Sequence, residues 1–140
     1  MLKNIFEIAG TALTAQTIRM NTTASNLANA GSVSPNEEEA FRAKRPVFRA
    51  LVDQADLNAG FNVLGGVKVK AVVDSAEPVR KVHDPNNPEA GEDGFIFLSN
   101  VNEVTEMVEM VAASRSFQNN VEVVTTARQL MMRTLDITKA

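Results

Sequence analysis

No Gly or Pro follows Gly94 in this 140-residue chain. Both residues are what ordinarily ends a helix, so nothing local interrupts one over the last forty positions. Asn100, with Glu103 three residues on, reads as an N-cap with a variant capping box. Glu103, Glu106 and Glu109 then crowd the first turns while Arg128, Arg133 and Lys139 lie toward the end, the charge order that a helix macrodipole favours. A helix from about Glu103 to Thr138 is on the order of 54 Å long, too long for so short a chain to cover. Met110, Ala113, Phe117, Val121, Val124, Met131 and Leu135, with Ala127 or Arg128 completing the series, recur at spacings of three and four. That is a single stripe of coiled-coil type, so the helix needs a partner along its length. Val101, Val104, Val108, Val111, Val121, Val123 and Val124 are β-branched, and each costs several tenths of a kcal/mol against Ala in a helix. Alone in water this helix is expected to be marginal.

The first residues repeat the pattern. From Leu2 to about Asn29, the positions Leu2, Phe6, Ala9, Leu13, Gln16, Met20, Thr23 and Leu27 alternate four and three apart, a heptad seam with polar interruptions. Gly10 and the many Thr and Asn residues make this helix weak as well. The two seams are expected to pack on each other and on copies of themselves or relatives. Asn29 and Gly31 suit the turn that ends the first helix.

Between the helices the chain reads as short extended pieces. Ser32 to Glu39 is a polar loop in which three adjacent carboxylates, Glu37, Glu38 and Glu39, call for water rather than a metal. Phe41 to Val52 is extended, with Pro46 favouring an edge position and Arg42, Lys44, Arg45 and Arg49 guarding that edge. Asp53 to Gly60 is a polar loop, and Gly65-Gly66 permits a tight turn before the period-two strand Val67–Val73. Glu77 to Pro85 is a second extended piece closed by the Asp84–Pro88 turn, and Gly94–Leu98 is the last strand. The expected class is α+β: long N- and C-terminal helices forming a coiled-coil pair, residues 1–30 and 101–140, around a small antiparallel β module of residues 31–100.

Composition removes most chemistry. Cys is absent, which excludes disulfides, thiolate metal sites and a cysteine nucleophile. His83 is the one histidine and is expected to be a surface or packing residue. There is no metalloprotease, nucleophile-elbow, P-loop or dinucleotide-binding motif, and Gly65-Gly66 has no helix after it to hold a phosphate. The chain reads as a non-enzyme without cofactor or metal. Net charge is −3 with no basic segment, which argues against nucleic acid. No apolar run is long enough to span a bilayer, and Lys3, Asn4 and Glu7 interrupt any signal-peptide core, so the residues by themselves point to the cytoplasm.

The opening Asn4-Ile-Phe-Glu-Ile-Ala-Gly-Thr-Ala-Leu-Thr-Ala-Gln-Thr, with Arg19-Met-Asn and Ala24-Ser-Asn-Leu-Ala-Asn-Ala30, closely resembles the N-terminal signature of bacterial flagellar rod and hook proteins. The stretch from Asn102 through Met110, Arg115 and Phe117 to Val124 resembles the C-terminal half of the same signature. The family's Asn-Thr-x-Gly-Tyr after the first motif is replaced here by Gly31-Ser-Val-Ser-Pro, as suits the rod branch. The resemblance implies a structural subunit of the flagellar basal body, exported through the flagellar type III apparatus without a cleaved signal and assembled in the periplasm, which displaces the cytoplasmic reading. Implied partners are other rod subunits, copies of the chain, and proteins at the junction of membrane ring and export gate, with no nucleic acid and no membrane insertion. The terminal helices are expected to line the export channel and transmit torque. The assembly interface is expected at Phe6, Leu13, Met20, Asn26, Leu27 and Asn29 on the first helix and at Met110, Arg115, Phe117, Val121, Val124, Met131 and Leu135 on the second. Asn26 and Asn29 could instead act as local caps. The competing reading is a soluble coiled-coil adaptor that binds one helical partner; it should be a stable helical dimer, whereas a rod subunit alone should have mostly disordered termini.

Overall fold

A computed structural model describes residues 2–51 and 65–139, with side chains over 4–51 and 65–137. Two helices carry the architecture, α1 at Leu2–Ala28 and α2 at Glu103–Lys139. Five short strands lie between them: β1 at Val33–Ser34, β2 at Lys44–Ala50, β3 at Val67–Asp74, β4 at Arg80–His83 and β5 at Phe95–Leu98. The class is α+β. The expected polar loop at Asp53–Gly60 falls outside the described residues.

The strands form two sheets. β1, β5 and β4 make a three-stranded antiparallel sheet in that order, and among the described residues β2 pairs only with β3. Pro46 sits opposite Val72 in this two-stranded ladder, where both strands are edges and a missing N–H is tolerated, and a bulge follows at Val47/Phe48. Ser32–Glu39, expected to be loop throughout, contributes β1. Its two residues pair with Leu98 and Phe97 of β5, a length too short to leave an alternating pattern in the sequence. Gly94 has φ +70, a left-handed conformation that suits Gly at the turn before β5. His83 packs edge-on against Phe95, with ring centroids 4.8 Å apart.

α1 is the element that the others share. It packs against α2, β2 and β3, and α2, which lies along α1, is joined to β2 by the Arg45–Glu106 ion pair. The helices run antiparallel: Asn26 near the end of α1 bonds Glu106 near the start of α2, and Ile5 at the other end lines a groove with Val123, Ala127 and Leu130. The hairpin side of α1 is fixed by Thr11, whose hydroxyl accepts from the Val67 N–H at 3.2 Å. Gly65 and Gly66 allow that approach, because a Cβ on Gly65 would stand 2.6 Å from Ile8 Cδ1.

The N-cap of α2 is Asn102 rather than Asn100. Its Oδ1 accepts from the Thr105 N–H at 3.1 Å, two residues later than the spacing to Glu103 suggested. Asn100 serves the tertiary structure instead. It accepts from the Ala43 N–H at 2.6 Å and donates to the Glu77 carbonyl at 2.7 Å.

The interior is small in both senses. Among the described residues the buried apolar ones are Ala9, Ala15, Ala30, Ala40, Ala43, Ala113 and Ala127, with only Ile96 and Val101 among the larger ones. A buried methylene is worth ~0.8 kcal/mol, so an alanine-rich contact stabilises little while letting backbones approach closely. The large apolar side chains of α2 are mostly outside.

Candidate assembly interface

The side of α2 that meets α1 follows a strict alternation of four and three: Glu106, Met110, Ala113, Phe117, Asn120, Val124, Ala127 and Met131 are buried or half-buried. Met110, Phe117, Val124 and Met131 thus lie where the spacing placed them. Val121 does not. It is 41% exposed, and Asn120 occupies the seam position in its stead, with its amide donating to the Ser116 carbonyl at 2.8 Å. From Phe117, steps of three and of four both reach a possible seam member; apolarity chose Val121, and the geometry of the helix pair takes Asn120. Leu135 is 53% exposed, outside the seam.

On α1, Phe6, Leu13, Met20 and Leu27 are half-buried, while Ala9 and Thr23 are buried. Threonines beside the seam are satisfied within the helix. Thr14, Thr17 and Thr22 each donate to the carbonyl four residues back, which consumes the hydroxyl inside the helix. Within the seam, the Gln16 Oε1 is buried with no hydrogen-bond partner among the described residues.

Asn26 and Asn29 take different roles within the subunit. Asn29 is a local cap, with Nδ2 donating to the Ser25 carbonyl at 2.8 Å. Asn26 is 1% exposed and ties three elements together. Its amide donates to the Lys44 carbonyl and to Glu106 Oε2, both at 2.9 Å, and its Oδ1 accepts from the Lys44 N–H at 2.8 Å. Glu106 is fully buried, and its other oxygen accepts from Arg45 Nη1 at 2.6 Å. One turn on, Glu109 pairs with Arg19 of α1. Sequence reasoning missed Glu106 and Arg45, reading the first as one of three acids that suit the helix macrodipole and the second as an edge guard. The available signal was that the four-three spacing, extended one step back from Met110, lands on Glu106.

Outside the seam, α2 carries two further apolar stripes. Val104, Met107, Val108 and Val111 occupy its N-terminal third; Val104 is 71% and Val108 62% exposed. The groove along them ends at Arg115, itself exposed. Val123, Leu130 and Ile137 recur every seven residues along the other half, and Ile137 is 76% exposed. Residues seven apart stay on one face of a helix, so each stripe has the spacing that a further helix would match. Among the described residues no helix is long and apolar enough to cross a membrane, and no group of acidic, His or Cys side chains is placed to hold a metal.

Comparison with known proteins agrees with this geometry. Residues 6–31 match the family model described as flagella basal body rod protein, and residues 92–137 match that of the flagellar basal body rod FlgEFG protein C-terminal. These two spans hold most of α1 and nearly all of α2. The flagellar basal-body rod protein FlgC of Salmonella typhimurium is 46% identical over 136 residues, covering 97% of each chain. FlgC of Escherichia coli O6:H1 is 46% identical over 137 residues with the same coverage, and FlgC of Buchnera aphidicola subsp. Acyrthosiphon pisum is 44% identical over 140 residues, covering 99% of this chain and 98% of its own. Two motif-bearing helices at the ends and near-complete coverage between them leave one assignment: the chain belongs to the FlgC family of flagellar basal-body rod proteins.

Proposed function

We propose that this chain is a subunit of the proximal rod that assembles helically with copies of itself and with other rod subunits, and so carries torque from the motor to the hook. In this reading α1 and α2 form a coiled-coil pair lining the export channel, residues 31–100 form the outer module, and the subunit reaches the periplasm through the type III apparatus. The contacts at its base are with proteins of the membrane-ring and export-gate junction. The family membership makes the chain a structural protein of the basal-body rod and not an enzyme.

The observation that carries the proposal is the apolar surface that α2 leaves outside its contact with α1. Val104, Met107, Val108, Val111, Val123, Leu130 and Ile137 face outward. Apolar stripes at helical spacing on a helix about 55 Å long call for neighbours over much of that length. α1, with 27 residues against 37, supports one side of α2 only. Phe6, Leu13, Met20 and Leu27 with Met110, Phe117, Val124 and Met131 hold the pair together, and Val121, Leu135 and Arg115, outside the seam, meet neighbouring subunits.

Leu13→Asp and Phe117→Asp, expressed at normal levels in a strain lacking the native protein, should abolish rod assembly and motility. Normal swimming in either strain overturns the proposal. A soluble adaptor would differ in forming a stable helical dimer of fixed size in solution.

A further inference from the structure

Glu106 is an expensive residue in its place. It occupies the first position of the seam that continues through Met110, Ala113 and Phe117, and it is fully buried. A carboxylate without a countercharge there would hold α2 away from α1. Among the described residues its paired cation is Arg45, and the Arg19 guanidinium is engaged by Glu109. Arg45 belongs to neither helix. It lies on β2 opposite Val73 of β3, so it reaches Glu106 from a strand whose place is fixed by the hairpin. The other group on the Glu106 carboxylate, the Asn26 amide, is oriented by both backbone groups of Lys44, the residue before Arg45. Everything that makes Glu106 acceptable against α1 is thus supplied or aligned by β2.

We propose that Arg45 is a positioning residue through which the β2–β3 hairpin licenses the pairing of α1 with α2. Until the hairpin forms, Glu106 keeps its water and the seam stays open at its first step; once Arg45 is delivered, the carboxylate can be buried and the helices close. The terminal helices therefore pair only in a chain whose middle segment has already folded. The requirement resides in charge, because the Arg45 side chain remains 42% exposed and so adds little packing of its own.

The test is a double-mutant cycle on the full chain. Wild type, Arg45→Met, Glu106→Gln and the double variant are unfolded with urea in a buffer containing trimethylamine N-oxide, which strengthens burial so that each starts from a helical baseline. Helix content is followed by circular dichroism, and amide exchange in α1 and α2 identifies the helices that open. Arg45→Met keeps the stem and removes the charge. It should lower the folding equilibrium constant a hundredfold or more, with exchange rising in both helices together. Glu106→Gln, which removes the charge that needs neutralising, should recover at least tenfold of that loss when combined with Arg45→Met. An Arg45→Met constant within threefold of wild type overturns the proposal, as does a double variant no better than Arg45→Met alone. Because the readout is folding of the isolated chain, failure here leaves the motility result for Leu13→Asp and Phe117→Asp independent.

Discussion

Replacing Asn26 by Ala removes three hydrogen bonds at once from a site with 1% exposure. Two of them, to the Lys44 N–H and carbonyl, are neutral; the third goes to the Glu106 carboxylate. A neutral bond contributes about 0.5–1.5 kcal/mol net and a bond to a charged group about 1.5–3, so two of the first and one of the second sum to about 2.5–6 kcal/mol. Against the 5–15 kcal/mol typical of a whole domain that is a large share, and it corresponds to a fall in melting temperature of about 10 °C or more. The assay is thermal and urea denaturation of the full chain followed by circular dichroism, in trimethylamine N-oxide to secure the folded baseline. Asn26→Asp keeps the shape but turns a donor into an acceptor facing the Lys44 carbonyl and Glu106, and should be at least as damaging. A loss below about 1 kcal/mol for Asn26→Ala would refute the reasoning. Asn26 would then act mainly on another subunit, and the defect would appear only in assembly.

Asn102→Ala removes the cap of α2 and should cost about 1 kcal/mol in the same denaturation assay, whereas Asn100→Ala, which strips partners from the Ala43 N–H and the Glu77 carbonyl, should loosen the loop ahead of α2 without shortening the helix by amide exchange. Ala113→Phe places a large side chain at a fully buried seam position between closely packed helices, so it should lower stability by roughly 1–3 kcal/mol and raise exchange in both α1 and α2.

The two helices were readable because their evidence is local and repeated. An uninterrupted run after Gly94 and apolar residues at three-four spacing mark α1 and α2 wherever the rest of the chain goes. Strand pairing carries no such signal. β2 pairs with β3 alone, and the two-residue β1 joins β5 from a loop full of acids, because partners distant in sequence select these pairings. Asn100 and Asn102 are equally good caps by type. What separates them is that the Ala43 N–H and the Glu77 carbonyl claim Asn100 first. Glu106 was hidden for a related reason: an acid in the first turn of a helix has a sufficient explanation in the macrodipole, and its burial depends on an arginine sixty-one positions away. The outer stripe at Val104, Val108 and Val111 was visible in the sequence only as poor helix propensity; that it faces away from α1 follows from which side the seam takes.

The central claim is that the outward apolar stripes of α2 are covered by neighbouring subunits. A side-chain-resolved map of the isolated basal body tests it most directly. The account predicts apolar atoms of other subunits within about 4–4.5 Å of Val104, Val108 and Val111 and of Val123, Leu130 and Ile137. Finding both stripes open to solvent in the assembled rod would contradict it.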